Sequence, residues 1–275
     1  MSWVTPGGDL QARATPTTPR TADLRLRQYQ LVTSPHECLA RASRVVQAKL
    51  HNASAVVQGI QSNMSSEPLL THARQALRQL HTRAGSAGST EELLGMEGLG
   101  ARAYFDALPL AFRVGIPFEG RHRRPPPDDP ANALLSFTYS LLANLLAGLV
   151  EARGLDPSLG FFHVPQAGRP SLVLDMIEEL RHPIADRFVM RVCNLKTLRP
   201  EHFEPDPENP PGVKLNKQGQ FTFMTEWEKY LLRPLQDVEA RDTAILPRDL
   251  MLRQVNRMAA DIRGTESYRP FMLPY

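Results

Sequence analysis

Glu97, His163, Asp175 and Glu178 are the residues of this chain best suited to chemistry. Mixed carboxylate and imidazole donors suit Mn2+ and, with water completing the shell, Mg2+. A cation held that way polarises a phosphoryl oxygen and activates a hydroxyl nucleophile. Asp175 and Glu178 stand three apart, so both project from one helix face, while Glu179 is turned away by ~100°. Glu97 falls on a helical face with Leu93, Leu94, Ala101, Tyr104, Phe105 and Leu108. An ionised carboxylate on an apolar stripe is costly unless it is paired or binds metal. Gly95, Gly98 and Gly100 flank it, each costing about 1 kcal/mol relative to Ala in a helix interior. Three glycines around one Glu point to something large approaching the backbone; tight helix packing with Glu97 at a surface edge accounts for the same pattern. His163, beside the turn at Gly160, reads either as a ligand or as a hydrogen-bonded structural histidine. Spacing alone does not bring these segments together.

The elements that must position them are helical. From Leu24 the pattern is helical: L-R-L-R-Q-Y-Q, then C-L-A-R-A-S-R-V-V-Q-A-K-L-H-N, gives a helix with Leu39, Ala42, Val46 and Leu50 roughly in phase. A further helix from Pro68 to Arg83 ends at Gly-Ser-Ala-Gly. Ser89 and Glu92 form a capping box that opens the helix of Glu97, about 90 to 108. The uncharged stretch 131–150 is long enough to span a bilayer, but its Asn, Ser, Thr and Tyr content predicts a central buried helix instead. Pro170-Ser171 caps the helix of Asp175 and Glu178, which stops or kinks at Pro183 and resumes after Asp186. The run V-K-L-N-K-Q-G-Q-F-T-F predicts a small hairpin turning at Gln218-Gly219. The last helix, about 248 to 263, aligns Met251, Val255, Met258 and Ile262. Residues 1 to about 24 read as one weak strand and turns.

Composition narrows the classes. The 275 residues are 42% hydrophobic and 22% charged, which is enough apolar material for a sizeable core and excludes wholesale disorder. With 17 Gly and 2 Cys, collagen-like and disulfide-scaffold chains are excluded too. The 24 prolines predict interrupted helices and long connections. Cys38 and Cys193 lack CxxC spacing, and a reduced, cytoplasmic chain without a secretory signal is the simplest expectation. No phosphate-binding G-x-x-x-x-G-K-[ST] loop, H-E-x-x-H helix or G-x-S-x-G elbow occurs. The formal charge of +3 permits an acidic partner. Arg121, Arg123 and Arg124, with Arg113, form the best phosphate-binding group; a solvated basic loop fits the same residues.

Three long runs carry a resemblance. L-L-G-M-E-G-L-G-A-R-A-Y-F-D-A-L is similar to the glutamate motif of the CRISPR-associated spacer-acquisition integrases, the universal adaptation subunit. R-R-P-P-P-D-D-P-A-N-A-L-L-S-F-T-Y-S-L-L resembles their central helix, and G-F-F-H-V-P-Q-A-G-R-P-S-L-V-L-D-M-I-E-E-L-R their histidine and acidic motif. L-R-L-R-Q-Y-Q, A-K-L-H-N and the closing Y-R-P-F fit in the same order. The resemblance implies a mainly α fold: a helical catalytic domain over 24–275 with a small β-hairpin, preceded over 1–23 by a remnant of an N-terminal β-domain and linker. It implies a prokaryotic, metal-dependent DNA endonuclease and integrase using Mg2+ or Mn2+. Glu97, His163 and Glu178 would be its metal ligands and Asp175 a supporting acid. Double-stranded DNA and a small ferredoxin-like adaptation subunit would be its partners, with no membrane. Family members form homodimers partly through the β-domain, so its reduction here predicts a mostly monomeric chain. A related transposon-encoded integrase and a catalytically impaired DNA-binding remnant are the alternatives.

Overall fold

The computed structural model describes residues 2–4, 10–13, 21–64, 67–112, 115–121 and 126–275, with only the backbone path described at 2–4, 10–13 and 240–243. The fold is mainly α, as expected. In chain order come β1 (Ser2–Val4), β2 (Leu10–Arg13), α1 (Ala22–Val32), α2 (Pro35–Gln61), α3 (Pro68–Ala84), α4 (Thr90–Ala107) and α5 (Pro130–Ala152). There follow α6 (Ser171–Leu180), α7 (Arg187–Asn194), β3 (Phe203–Pro205), β4 (Val213–Leu215), α8 (Lys217–Leu231), β5 (Leu235–Asp237), β6 (Ala240–Ile245) and α9 (Pro247–Arg263). Among the described residues the strands form three antiparallel pairs, β1–β2, β3–β4 and β5–β6. The expected single N-terminal strand is therefore two: Leu10–Arg13 pairs with Ser2–Val4, satisfying a backbone edge that one strand would leave open.

Local signals set most helix starts. Ser34 accepts the Glu37 amide at the head of α2, and Asp129 the Asn132 amide at the head of α5, each followed by Pro in the first turn. Ser89 caps α4 through the Glu92 amide, but the Glu92 carboxylate turns back to the Gly88 N–H rather than to Ser89. Ser171 does not cap α6, because its hydroxyl donates to the Val164 carbonyl. At Pro183 the helix kinks rather than stops. Residues 181–186 form a π-helical turn, since proline lacks the N–H needed to continue the ordinary ladder, and α7 follows directly.

The hairpin expected at Gln218-Gly219 is absent. Asn216 accepts the Gly219 amide at 2.9 Å and starts α8 there. Phe223, Trp227 and Tyr230, at helical spacing, bury their rings around Phe188 at 5.0–5.2 Å. Burying three aromatics on one helical stripe outweighs the short alternation of V-K-L…F-T-F. The short strand Val213–Leu215 pairs backward with Phe203–Pro205.

The centre is also not where the uncharged stretch placed it. Half of the most apolar window of α5 is buried, and the helix packs against α6, α9 and the 181–194 run. By contrast α2 is buried at every residue from Ala48 to Val57, enclosed by α3, α4 and α6. It brings Lys49, His51 and Asn52 into the core, so each needs a partner there. The α4 stripe facing it is Leu93, Met96, Gly100, Tyr104 and Ala107; Leu94, expected on that face, is exposed. Gly100 is the contact point, where a Cβ would lie 2.2 Å from Leu50 Cδ2, while Gly95 and Gly98 face open space. Tight helix packing thus accounts for Gly100, and Gly95 and Gly98 are left open. Cys38 and Cys193 are free, and burial pushes the Cys193 thiol up to about 12.

Candidate active site

The turn 160–163 lies against the start of α6. A Cβ at Gly160 would sit 2.7 Å from the Ser171 carbonyl carbon and 2.8 Å from the Asp175 carboxylate, so only glycine permits this approach. That approach aims three successive amides at one side chain. Asp175 accepts the N–H groups of Phe161, Phe162 and His163 at 2.5, 3.0 and 2.8 Å. It also engages His163 Nδ1 at 2.8 Å. Asp175 is buried and its acceptor capacity is used up. Its place is to orient the imidazole and leave Nε2 facing outward.

Three residues along α6, Glu178 meets the other candidates. His163 Nε2 stands 4.0 Å from Glu178 Oε1. Lys49 of α2 hydrogen-bonds Glu97 Oε1 and sits 2.5 Å from Glu178 Oε2, so one ammonium bridges glutamates from α4 and α6. Arg181 adds a second cation 3.3 Å from Glu178. Burial opposes ionisation of Glu178, but Arg181 and Lys49 hold its carboxyl down at about 2. Glu178 therefore stands beside His163 and is joined to Glu97 through Lys49, and Asp175 supports the histidine from behind. Among the described residues no three such side chains stand as a finished metal shell. The donor set nevertheless fits a hard divalent cation. Two carboxylates share a positive charge that the protein itself supplies, with an imidazole beside one of them.

Behind this pole the same helical run carries a second carboxylate centre. Asp186 accepts the Tyr104 and Tyr139 hydroxyls at 2.8 and 2.5 Å and engages His182 Nδ1 at 2.7 Å. Arg181 stacks over the Tyr139 ring at 4.6 Å, linking the two centres. Burial works against the Arg181 charge, yet Glu178, Tyr139 and Asp186 raise its pKa above the usual guanidinium range. Glu179 points the other way, as its spacing required. It accepts the Tyr268 hydroxyl, the Phe271 amide at 2.5 Å and the Gln254 side chain, and burial raises its pKa to about 7. Asn52, one turn beyond Lys49, donates to the Glu179 and Phe271 carbonyls and accepts the Leu273 amide. Lys49 and Asn52 thus set α6 against α2, α4 and the closing segment.

Among the arginines expected to bind phosphate, Arg113, Arg123 and Arg124 lie outside the described residues. Arg121 is turned onto α5, donating to the Asn132 side chain at 2.7 Å and Ser136 at 3.1 Å. Sequence reasoning missed Lys49, Asn52, Arg181 and Asp186. Lys49 carried a usable signal: it shares a helical face with Ala42, Val46 and Ala53, as Glu97 shares one with Leu93 and Tyr104. Two opposite charges on two apolar stripes imply a buried pair.

A family described as CRISPR associated protein Cas1 matches residues 1–229. The chain is 31% identical over 272 residues to "CRISPR-associated endonuclease Cas1 3" of Thermus thermophilus, covering 98% of this chain and 78% of that protein. It is 36% identical over 213 residues to a "CRISPR-associated exonuclease Cas4/endonuclease Cas1 fusion" of Geobacter sulfurreducens, covering 74% of this chain and 37% of the fusion. The corresponding Rhodospirillum rubrum fusion is covered to 31%, so the chain spans about a third of the length of these relatives. Among solved structures, a "Casposase bound to integration product" superposes with a TM-score of 0.79 at 20% identity, covering 96% of this chain and 72% of that one. A chain of a "Partial Cas6-RT-Cas1--Cas2 complex" gives 0.79 at 19% identity, with 98% and 79% covered. At these identities the structural likeness is one of fold.

Proposed function

The chain belongs to the Cas1 family, and from that membership we propose that it is a DNA endonuclease and integrase of CRISPR adaptation, using Mg2+ or Mn2+. The observation that carries the reading is the meeting of Glu97, His163 and Glu178 from three separate segments at one pole of the helical core. Glu97, Glu178 and His163 Nε2 would hold the cation, and Asp175 keeps the imidazole turned toward it. When bound, the cation supplies Lewis-acid polarisation of a phosphoryl oxygen.

In the strand-transfer step the 3′-hydroxyl oxygen of a captured DNA bonds to a repeat phosphorus. The bond from that phosphorus to the repeat's own 3′-oxygen breaks, and the proton lost by the nucleophile is balanced by one gained on the leaving oxygen. Such a reaction asks for alignment and charge rather than covalent chemistry. Helices fixed by Asn52 and by the contacts of Tyr104, Tyr139 and His182 to Asp186 supply the alignment. The backbone at Gly95 and Gly98, on the turn that carries Glu97, is uncovered within 4 Å. Double-stranded DNA and a small Cas2-type subunit are the proposed partners, supported by the likeness in fold to a casposase bound to integration product and to a chain of a Cas1–Cas2 complex.

The test is joining of a short duplex with 3′-hydroxyl ends to a supercoiled plasmid carrying the repeat. Product is expected with Mg2+ or Mn2+ and none with EDTA. Glu97→Ala and His163→Ala are expected to lose the product while still binding DNA. Undiminished joining in EDTA, or by His163→Ala, would remove the basis of the reading.

A further inference from the structure

The Lys49 ammonium lies between Glu97 Oε1 and Glu178 Oε2, the two glutamates among the candidate cation ligands, while His163 Nε2 stands 4.0 Å from the other Glu178 oxygen, Oε1. The ammonium is bonded to Glu97 and lies 2.5 Å from Glu178 Oε2, on a side chain only 3% exposed. A hard divalent cation binds carboxylate oxygens at about 2.0–2.6 Å. It cannot share those same oxygens with an ammonium in hydrogen-bond contact, because two like charges would then stand within a few ångströms in a half-desolvated site. A cation that joins Glu97 to Glu178 through these oxygens therefore displaces the ammonium.

The displaced ammonium has few places to go. The other carboxylates on the 171–194 run are fully engaged. Asp175 holds three amides and an imidazole, Glu179 holds Tyr268, Phe271 and Gln254, and Asp186 holds two tyrosines and His182. An ammonium left without an anion in this setting is expensive. The charge balance of the pole states the same need. Glu97, Asp175 and Glu178 against Lys49 and Arg181 leave one formal negative charge, counting the imidazole as neutral. A divalent cation turns that into one positive charge, which calls for an anion from outside.

Resting on the reading of this pole as the cation site, we propose that Lys49 is a resident counter-ion, displaced from Glu97 and Glu178 by the divalent cation and recaptured by a DNA phosphate. Cation and DNA then bind cooperatively, each raising the affinity of the other by the same factor. Free cation is held weakly until DNA arrives, so Lys49 acts as a positioning residue that ties site assembly to substrate.

The experiment measures Mn2+ affinity of the full chain by paramagnetic resonance of free Mn2+, with and without a short duplex and without turnover. In the wild type, duplex is expected to tighten Mn2+ binding by about tenfold or more. In Lys49→Met, Mn2+ alone is expected to bind about tenfold tighter than in the wild type, and the gain from duplex to shrink. Equal or weaker Mn2+ binding in a folded Lys49→Met, with the duplex gain intact, would overturn the inference while leaving the cation site standing. No Mn2+ binding to either protein would remove the site and the inference together. A second measurement needs no variant: reductive dimethylation of the wild type, read by peptide mass spectrometry. Labelling of Lys49 is expected to be low in EDTA and higher with Mg2+, and labelling indifferent to Mg2+ would also overturn the proposal.

Discussion

Glu178 and Asp186 lie about two turns apart on one helical run, yet they are served in opposite ways. Asp186 is wholly buried and is saturated by hydroxyls of Tyr104 and Tyr139 and by the His182 ring, all short, stiff groups locked by packing. Glu178 is met by Lys49 and Arg181, long cations that can leave, and by an imidazole 4.0 Å away that has not closed on it. The Asp186 carboxylate is satisfied within the chain and serves the fold, although the far nitrogen of its His182 partner, Nε2, is buried without a hydrogen bond. The Glu178 carboxylate is balanced only provisionally, by charges that an incoming ligand can replace. Asp175 stands between the two in character, saturated like Asp186 but holding a residue of the open centre.

The largest effect should come from the open centre. Glu178→Ala is expected to reduce strand transfer by about 10³-fold, on the scale of losing one transition-state group. Its folding stability in EDTA should fall less than that of Asp186→Ala, because Lys49 keeps Glu97 and Arg181 keeps Tyr139 and Asp186 as neighbours. A urea titration showing Glu178→Ala to be as unstable as a core variant would dissolve the distinction. Next in size is Asp186→Ala, expected to destabilise the fold by about 3 kcal/mol or more, because two phenols and an imidazole lose a buried acceptor. Urea unfolding in EDTA measures it, and an unaltered midpoint would show that Asp186 is not the structural member of the pair. The smallest effect is expected of Asp175→Asn, which keeps the shape but offers an NH2 where the turn supplies only donors. Mn2+ affinity should fall by about 10- to 100-fold, as for loss of a group that orients a ligand. An unchanged affinity would place the Asp175–His163 contact outside the site's function.

Much of this protein was legible in one dimension. The start of α4 followed from Ser89, because a cap acts within three residues of itself. The turn of Glu179 away from the face shared by Asp175 and Glu178 followed from helical geometry alone. The motif resemblance grouped Glu97, His163 and Glu178, which periodicity could not. Where local pattern misled, burial had the final word: α8 replaced a hairpin because Phe223, Trp227 and Tyr230 found Phe188. The core centred on α2 rather than α5 because its polar residues found partners from distant segments.

Those partners are what tertiary structure decided. Lys49 reaches Glu97 across 48 residues, and Tyr104 and Tyr139 reach Asp186 across 82 and 47. A cap or an amphipathic stripe repeats along the chain and leaves a periodic trace. A buried charge pair is a single event between remote positions, and each half reads by itself only as a costly residue on an apolar face. The sequence therefore supplied the two charges and the need for each to be paired, and the packing of α2 between α4 and α6 decided that they would be paired with each other.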